Sequence, residues 1–354
     1  MKLNTPASAI TRRALITASA ASAAAWAKTG PIRAAVYGIG HAHAMGKVAA
    51  LQALPQFDLV GVCEPDASRP RSSPALKGVR WLTPEEMLGD ASIEFIAVES
   101  RVQENLAYAR QSIEAGKFVH LDKAPGIDLD AFRGLIEDAR RKKRMVQMGY
   151  QWRYQTGMRA AIEAARKGWL GEVYSFRARI DKPMSLAERR DLAAFRGGMM
   201  FELGCHLIDR ATDLLGEPTK VTGHLWHHSK AADSLADNTL AILEYPRAVA
   251  EISVAAMHPN GGAYRTLEIT GDNGSATVRP FNDRIVTDLK KAAGPYPAGV
   301  KETVLPSSPQ LAFAPDLLEM ARIIREGMAP TYSPEHDLMT QRVLLRVCHE
   351  ISTE

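Results

Sequence analysis

Between Ile32 and about Met148 the sequence alternates five short apolar runs with helical stretches, an order that few folds accept. The runs are RAAVY at 33–37, FDLVGVC at 57–63, FIAV at 95–98, FVHL at 118–121 and MVQM at 145–148. Each is apolar or β-branched along its length rather than at every second residue, as a strand covered on both faces must be. The stretches between them carry helix punctuation. Thr83-Pro84-Glu85-Glu86 offers an N-cap followed by a first-turn proline, Gly116 closes a helix over 105–115, and 129–142 ends in basic residues that suit the helix dipole. Together these features predict a parallel sheet with crossover helices.

Directly after the first run comes Gly38-Ile39-Gly40-His41-Ala42-His43, the first two glycines of a GxGxxG turn with His43 in place of the third. The first glycine permits a tight turn and the second lets backbone N–H groups approach a pyrophosphate, while the following helix points its positive end at the phosphates. Glu64 closes the second run, 26 residues after Gly38, near the spacing at which an acid accepts from the adenosine ribose. A carboxylate there repels a 2′-phosphate, so NAD is expected and NADP is less favoured. Residues 31–150 are read as a Rossmann dinucleotide-binding domain, with Gly38, Gly40, His41, His43, Glu64, Glu99 and Lys123 as candidate cofactor-binding residues.

From residue 151 the texture changes. Helices over 157–167 and 200–215 flank an extended run at 172–180, and strand composition recurs at 239–245, 248–256 and 266–270. Gly271-Asp272-Asn273-Gly274 is a hairpin signal, and two amphipathic helical stretches, 316–327 and 335–352, end the chain. The fold class is therefore α/β plus α+β, with residues 151–354 forming a C-terminal α+β domain on a largely antiparallel open sheet.

Residues 1–27 differ from the rest. Lys2 and the pair Arg12-Arg13 precede a small-residue apolar stretch that ends in Ala25-Trp26-Ala27, without an acid. This is the pattern of a twin-arginine export signal, with a periplasmic or otherwise exported destination and no stable membrane span after cleavage. The 44 basic residues then fall to 41 against 40 acidic ones, a balance that gives no ground for nucleic-acid binding. Cys63, Cys205 and Cys348 lie in apolar or near-apolar runs and are expected to be free thiols, which suits a protein folded in the cytoplasm before export. His227, His228 and His258 lack tight spacing with other ligands and read as solvated surface, so no metal is expected.

Two segments resemble signatures of the glucose-fructose oxidoreductase, inositol dehydrogenase and MocA family. Residues 116–126, GKFVHLDKAPG, are similar to the family's GKHVxxEKP, with Asp122 for Glu and Ala124 for Pro but Lys123 retained. Residues 197–209, GGMMFELGCHLID, resemble its glycine-rich lead into Asp-x-Gly-x-His, with Glu202 and His206 at the acid and histidine positions. The resemblance implies an enzyme in which Lys123 holds the reacting hydroxyl and His206 takes its proton. The chemistry asks for such a pair: a histidine titrates near neutrality, and an ammonium stabilises the developing alkoxide. Glu202, four residues before His206, shares its helix face and could orient the imidazole. Arg153, Tyr154 and Asp209 are candidate substrate-binding residues for a sugar, polyol or glycoside.

The resemblance also implies a homodimer or homotetramer. Export would demand a tightly retained cofactor, since no free nicotinamide pool is expected outside the cytoplasm. Net sugar oxidation coupled to reduction of a second sugar, and a glycosidase or lyase reaction through transient oxidation, both remain open. A non-catalytic sugar- or nucleotide-binding protein is the alternative from another class.

Overall fold

A computed structural model of the chain describes residues 30–306 and 312–352, so the expected export signal lies outside the described residues. The five apolar runs form β1 (Ile32–Tyr37), β2 (Phe57–Cys63), β3 (Phe95–Val98), β4 (Phe118–Leu121) and β5 (Val146–Met148). They pair in parallel in the order β2-β1-β3-β4-β5. Four helices complete the crossovers: α1 (Ala44–Ala53), α2 (Pro84–Gly89), α3 (Val102–Glu114) and α4 (Leu129–Arg141). α2 opens on the capping box between Thr83 and Glu86, so its first orphan N–H groups are satisfied. Strand order reverses between β1 and β3, and the carboxyl ends of strands at such a switch point open a ligand crevice. Gly38 after β1, Glu99 after β3 and Asp122-Lys123 after β4 all stand on that edge.

The second sheet has eight strands. They are β6 (Val173–Arg179), β7 (Lys220–Trp226), β8 (Asn238–Glu244), β9 (Val249–Ala255), β10 (Thr266–Gly271), β11 (Gly274–Val278), β12 (Arg284–Leu289) and β13 (Gly299–Val304). Their order is β13-β12-β11-β10-β6-β9-β8-β7, antiparallel throughout except for the parallel β6–β9 pair. Alternation decides which face is covered: in β8, Thr239, Ala241 and Leu243 are buried while their neighbours are half-buried. The covered face meets α5 (Thr156–Arg166) and α7 (Cys205–Leu215), which a π-helical turn (Met200–Gly204) precedes. β12 and β13 lie beyond the last strand expected from the sequence. β13 is exposed along nearly its whole length, so it carries no apolar alternation to read.

The domain boundary needs one correction. Residues after 150 were expected to belong wholly to the second domain, but α8 (Ala314–Glu326) returns to the first. Its Leu317, Met320 and Ala321 are fully buried in one cluster with Ile32, Val48 and Leu51. Full burial of a large apolar side chain stabilises by roughly 1.5–3 kcal/mol. Lys47–Asp316 at 2.6 Å and Arg325–Glu94 at 2.6 Å fix the register of the return. The final helix, α9 (Pro334–Val347), packs on α7, α4 and β7 and so joins the two domains. Cys63, Cys205 and Cys348 are buried free thiols. Among the described residues no helix is long and apolar enough to cross a membrane.

Candidate active site

The dinucleotide loop is built by close approach. Gly38 has φ +81°, and a Cβ there would stand 2.6 Å from Ser100 Cβ and 2.7 Å from Ser100 Cα. A Cβ on Gly40 would meet Arg69 Nη1 at 2.8 Å and Arg101 Cγ at 2.9 Å. Two arginines thus flank a backbone without side chains, which fits a pyrophosphate. Gly38→Ala combines a left-handed backbone with a clash against Ser100, and is expected to weaken NAD binding at least about tenfold, near 1.4 kcal/mol. Titration of NAD fluorescence quenching against wild type checks this.

Glu64, the candidate ribose acceptor, has its side chain turned into the loop. Its carboxylate is buried and braces the loop, accepting from Ile39 N–H at 2.7 Å, from Arg69 Nη1 at 2.9 Å and from Asp66 N–H at 2.9 Å. Arg69 continues to Glu104 at 2.6 Å. Arg69, not Glu64, lines the adjoining cleft of about 420 Å³. Glu99 is fully buried. Its backbone carbonyl accepts from His41 N–H, and burial, reinforced by the charge of Asp122, raises its carboxyl well above the usual range.

Lys123 lies just past β4, on a segment without the proline of the family signature. Asn105 on α3 holds that segment instead, donating to the carbonyls of Asp122 at 3.2 Å and Ala124 at 3.0 Å, and it accepts from Ser100 Oγ at 2.8 Å. The Lys123 ammonium is buried and donates to Glu202 Oε1 at 2.6 Å and to the Glu202 carbonyl at 2.9 Å. Burial alone would lower the lysine, but the facing carboxylate outweighs it and the pKa is raised. Glu202 shows the mirror effect, with burial pushing up and Lys123 pulling further down.

His206 is the second residue of α7, 1% exposed, with Nδ1 lacking any hydrogen-bond partner. Burial, then the charges of Lys123 and His43, hold it well below the ordinary histidine value, so the ring is neutral near pH 7. Tyr150 and Trp152 close around it, with ring centroids 5.8 and 5.9 Å away. The expected orienting bond from Glu202 to His206 is not formed among the described residues, because Lys123 and His41 face that carboxylate instead.

His41 and His43 turn toward β4. Their Nδ1 atoms lie 2.5 and 3.0 Å from Asp122 Oδ2. Burial would raise Asp122, and the two imidazoles more than reverse this and hold it well below the carboxylate range.

Arg153 and Asp209 stand apart from the sequence expectation. Both are buried, and Arg153 donates to Asp209 at 2.6 Å and also to Asp337. Asp209 further accepts from Arg210 at 2.7 Å and contacts His336 at 2.9 Å. These groups satisfy one another as an ion network inside the domain. Tyr154 likewise donates its hydroxyl to Glu319 of α8. Charge and hydrogen-bonding type, which made them candidates, suit an internal network equally well.

A second cleft, of about 230 Å³, lies between the domains and is lined by Gly40, His41, Arg101, Glu188, Phe195 and Glu202. Its far wall is α6 (Leu186–Leu192) with Lys182 and Asp191, none of them anticipated from sequence. The one legible signal there is the Ser185–Glu188 capping box that starts α6.

Comparison with known proteins agrees with this geometry. Residues 32–150 match the oxidoreductase family with an NAD-binding Rossmann fold, and residues 158–277 match the GFO/IDH/MocA C-terminal domain. An uncharacterised oxidoreductase of Schizosaccharomyces pombe is 29% identical over 201 residues, covering 55% of this chain and 54% of that protein. The D-glucoside 3-dehydrogenase of Escherichia coli is 23% identical over 195 residues, covering 53% and 55%. The chain thus spans about half the length of these two relatives. Among solved structures, GenD2 from gentamicin A biosynthesis in complex with NAD superposes with a TM-score of 0.74 at 22% identity, over 91% of this chain and 95% of that one. Two matched domains in order, on the sheet topologies described, show that the chain belongs to the GFO/IDH/MocA family of NAD-binding oxidoreductases.

Proposed function

We propose that the chain oxidises a secondary hydroxyl of a sugar, polyol or glycoside with NAD as hydride acceptor, using Lys123 and His206 at that hydroxyl. The observation that carries this reading is a buried ammonium beside a buried, neutral imidazole, at the edge where the dinucleotide loop ends. Bound NAD would supply the hydride acceptor. The chain supplies charge and proton control. Lys123 donates to the reacting oxygen and stabilises the negative charge that develops on it. Neutral His206 takes the proton. Glu202 keeps the lysine charged despite burial and faces the cleft, where it can accept from a second hydroxyl. The charged lining of Arg101, Lys182, Glu188 and Asp191 supports a polyhydroxylated ligand, as does the similarity to a D-glucoside 3-dehydrogenase.

The leader supports export as a folded protein to the periplasm, and export supports a cofactor retained between turnovers. Association as a homodimer or homotetramer is supported by the uncovered face of the eight-stranded sheet, where Arg177, Arg179, Glu251 and Arg279 line an open groove of about 360 Å³.

The test is absorbance near 340 nm of the purified mature chain, with and without added NAD, against a panel of sugars, polyols and glycosides. Reduced nicotinamide is expected with a subset of the panel and is expected to vanish in His206→Ala. Absence of reduction across the panel, with NAD bound, would overturn the substrate class. Aglycone release without net reduction would place the reaction in the elimination class.

A further inference from the structure

Two histidines of the dinucleotide loop and one carboxylate from the end of β4 converge on a single point. One ring nitrogen each of His41 and His43 and one Asp122 oxygen all lie within 4.8 Å of one another. Asp122 Oδ2 is the shared point, 2.5 Å from His41 Nδ1 and 3.0 Å from His43 Nδ1. Asp122 is 1% exposed with Oδ2 turned to these two nitrogens, and His41 Nε2 has no hydrogen-bond partner. The other Asp122 oxygen is already held, accepting the Lys123 N–H at 2.7 Å, which leaves Oδ2 as the donor atom for a cation.

Phosphate binding does not ask for these residues. A dinucleotide turn works through glycines and backbone N–H groups, and a histidine at the third-glycine position gives up close packing of helix on strand. Two imidazole nitrogens and one carboxylate oxygen are instead the ligand set of open zinc sites and of facial triads, which keep coordination positions for water or substrate. Hard cations such as Mg²⁺ prefer oxygen and leave imidazoles unused. Outer support is present as well. Gln151 Nε2 lies 3.2 Å from His43 Nε2, and with its amide turned the other way it would accept the Nε2–H that a metal on Nδ1 requires.

We infer that His41, His43 and Asp122 bind one divalent transition-metal cation of the Zn²⁺ class beside the inter-domain cleft, whose wall His41 forms. Glu202 Oε1, 3.8 Å from His41 Nε2 and 2.6 Å from Lys123 Nζ, ties this point to the lysine. His41 lines that cleft, so a cation bound there would add a Lewis acid to the groups that meet a ligand hydroxyl or carbonyl oxygen. The inference rests on these three side chains and not on the substrate reading.

The experiment is calorimetric titration of the chelator-stripped mature chain with ZnCl₂ alone, repeated with CoCl₂ while recording visible d–d absorption. One equivalent is expected to bind, with a Co²⁺ spectrum of low coordination number. His41→Ala, His43→Ala and Asp122→Asn are each expected to weaken binding at least about 100-fold, more than the loss of an outer-shell partner does. Far-UV circular dichroism and thermal unfolding show which variants remain folded. The two histidine variants keep the test decisive even where the buried Asp122→Asn does not fold. No binding to the wild-type chain, or binding unchanged in folded His41→Ala and His43→Ala, overturns the site. Binding that disappears with His227→Ala instead places the cation on the surface and overturns it too. Sugar-dependent NAD reduction by a chain that binds no Zn²⁺ would refute the metal and leave the oxidation reading standing.

Discussion

Lys123→Met is expected to lower kcat/KM by about 10²–10³-fold, the usual loss when one preorganised donor to a developing oxyanion is removed. The lysine is the buried cation that donates directly to Glu202, and its charge also depresses His206. Two further consequences separate this from simple misfolding. Wild-type activity requires His206 neutral, and its pKa lies well below the ordinary histidine value, so kcat/KM should hold as pH falls below about 6.5. In Lys123→Met one of the depressing charges is gone, the His206 pKa rises, and the acid limb moves to higher pH. Glu202 also rises, because burial is no longer opposed by the ammonium. Steady-state kinetics from pH 5 to 9 measures both effects, with NAD binding as the control for a folded first domain. A variant within tenfold of wild type and with an unmoved limb would remove Lys123 from the reacting hydroxyl.

The parallel sheet was readable because its strands are buried on both faces, which leaves unbroken apolar runs such as FIAV and FVHL. Lys123 and Glu202 were readable as members of two signatures, and their contact follows from neither spacing alone, since 79 positions separate them. The same limit governs what was not readable. His41 and Asp122 meet only after β1 and β4 are brought to one edge with β3 between them. Asn105 takes over the role of a missing proline through carbonyls that no side-chain pattern records. α8 has the composition of a C-terminal helix of the second domain, yet its apolar stripe completes the core beside β1. In each case local chemistry fixes what a residue can do, while the tertiary fold fixes what it meets.

The clearest instance is Arg153, and Arg153→Met is expected to destabilise the chain by about 3–5 kcal/mol, the cost of breaking a buried ion pair and leaving its partner uncompensated. The guanidinium stacks on Tyr150 and Tyr332, with its carbon 4.8 and 4.3 Å from their ring centroids, while bridging Asp209 and Asp337. Burial would raise Asp209, but Arg153 first and Arg210 next hold it well below the usual carboxylate value. A carboxylate depressed in the folded state contributes stability that is complete above its unfolded pKa of about 3.9 and is lost as pH falls through the lower folded value. Wild type should therefore keep this contribution down to about pH 4 and lose it only below. Without Arg153 the folded pKa of Asp209 rises toward or above the unfolded one, so acid unfolding should begin at higher pH. Urea midpoints at pH 7 and at pH 5 measure the loss and its pH dependence. If Arg153 gripped substrate instead, the same variant would unfold like wild type and raise KM. A lower midpoint with KM unchanged in the folded fraction assigns the arginine to the domain's internal ion network.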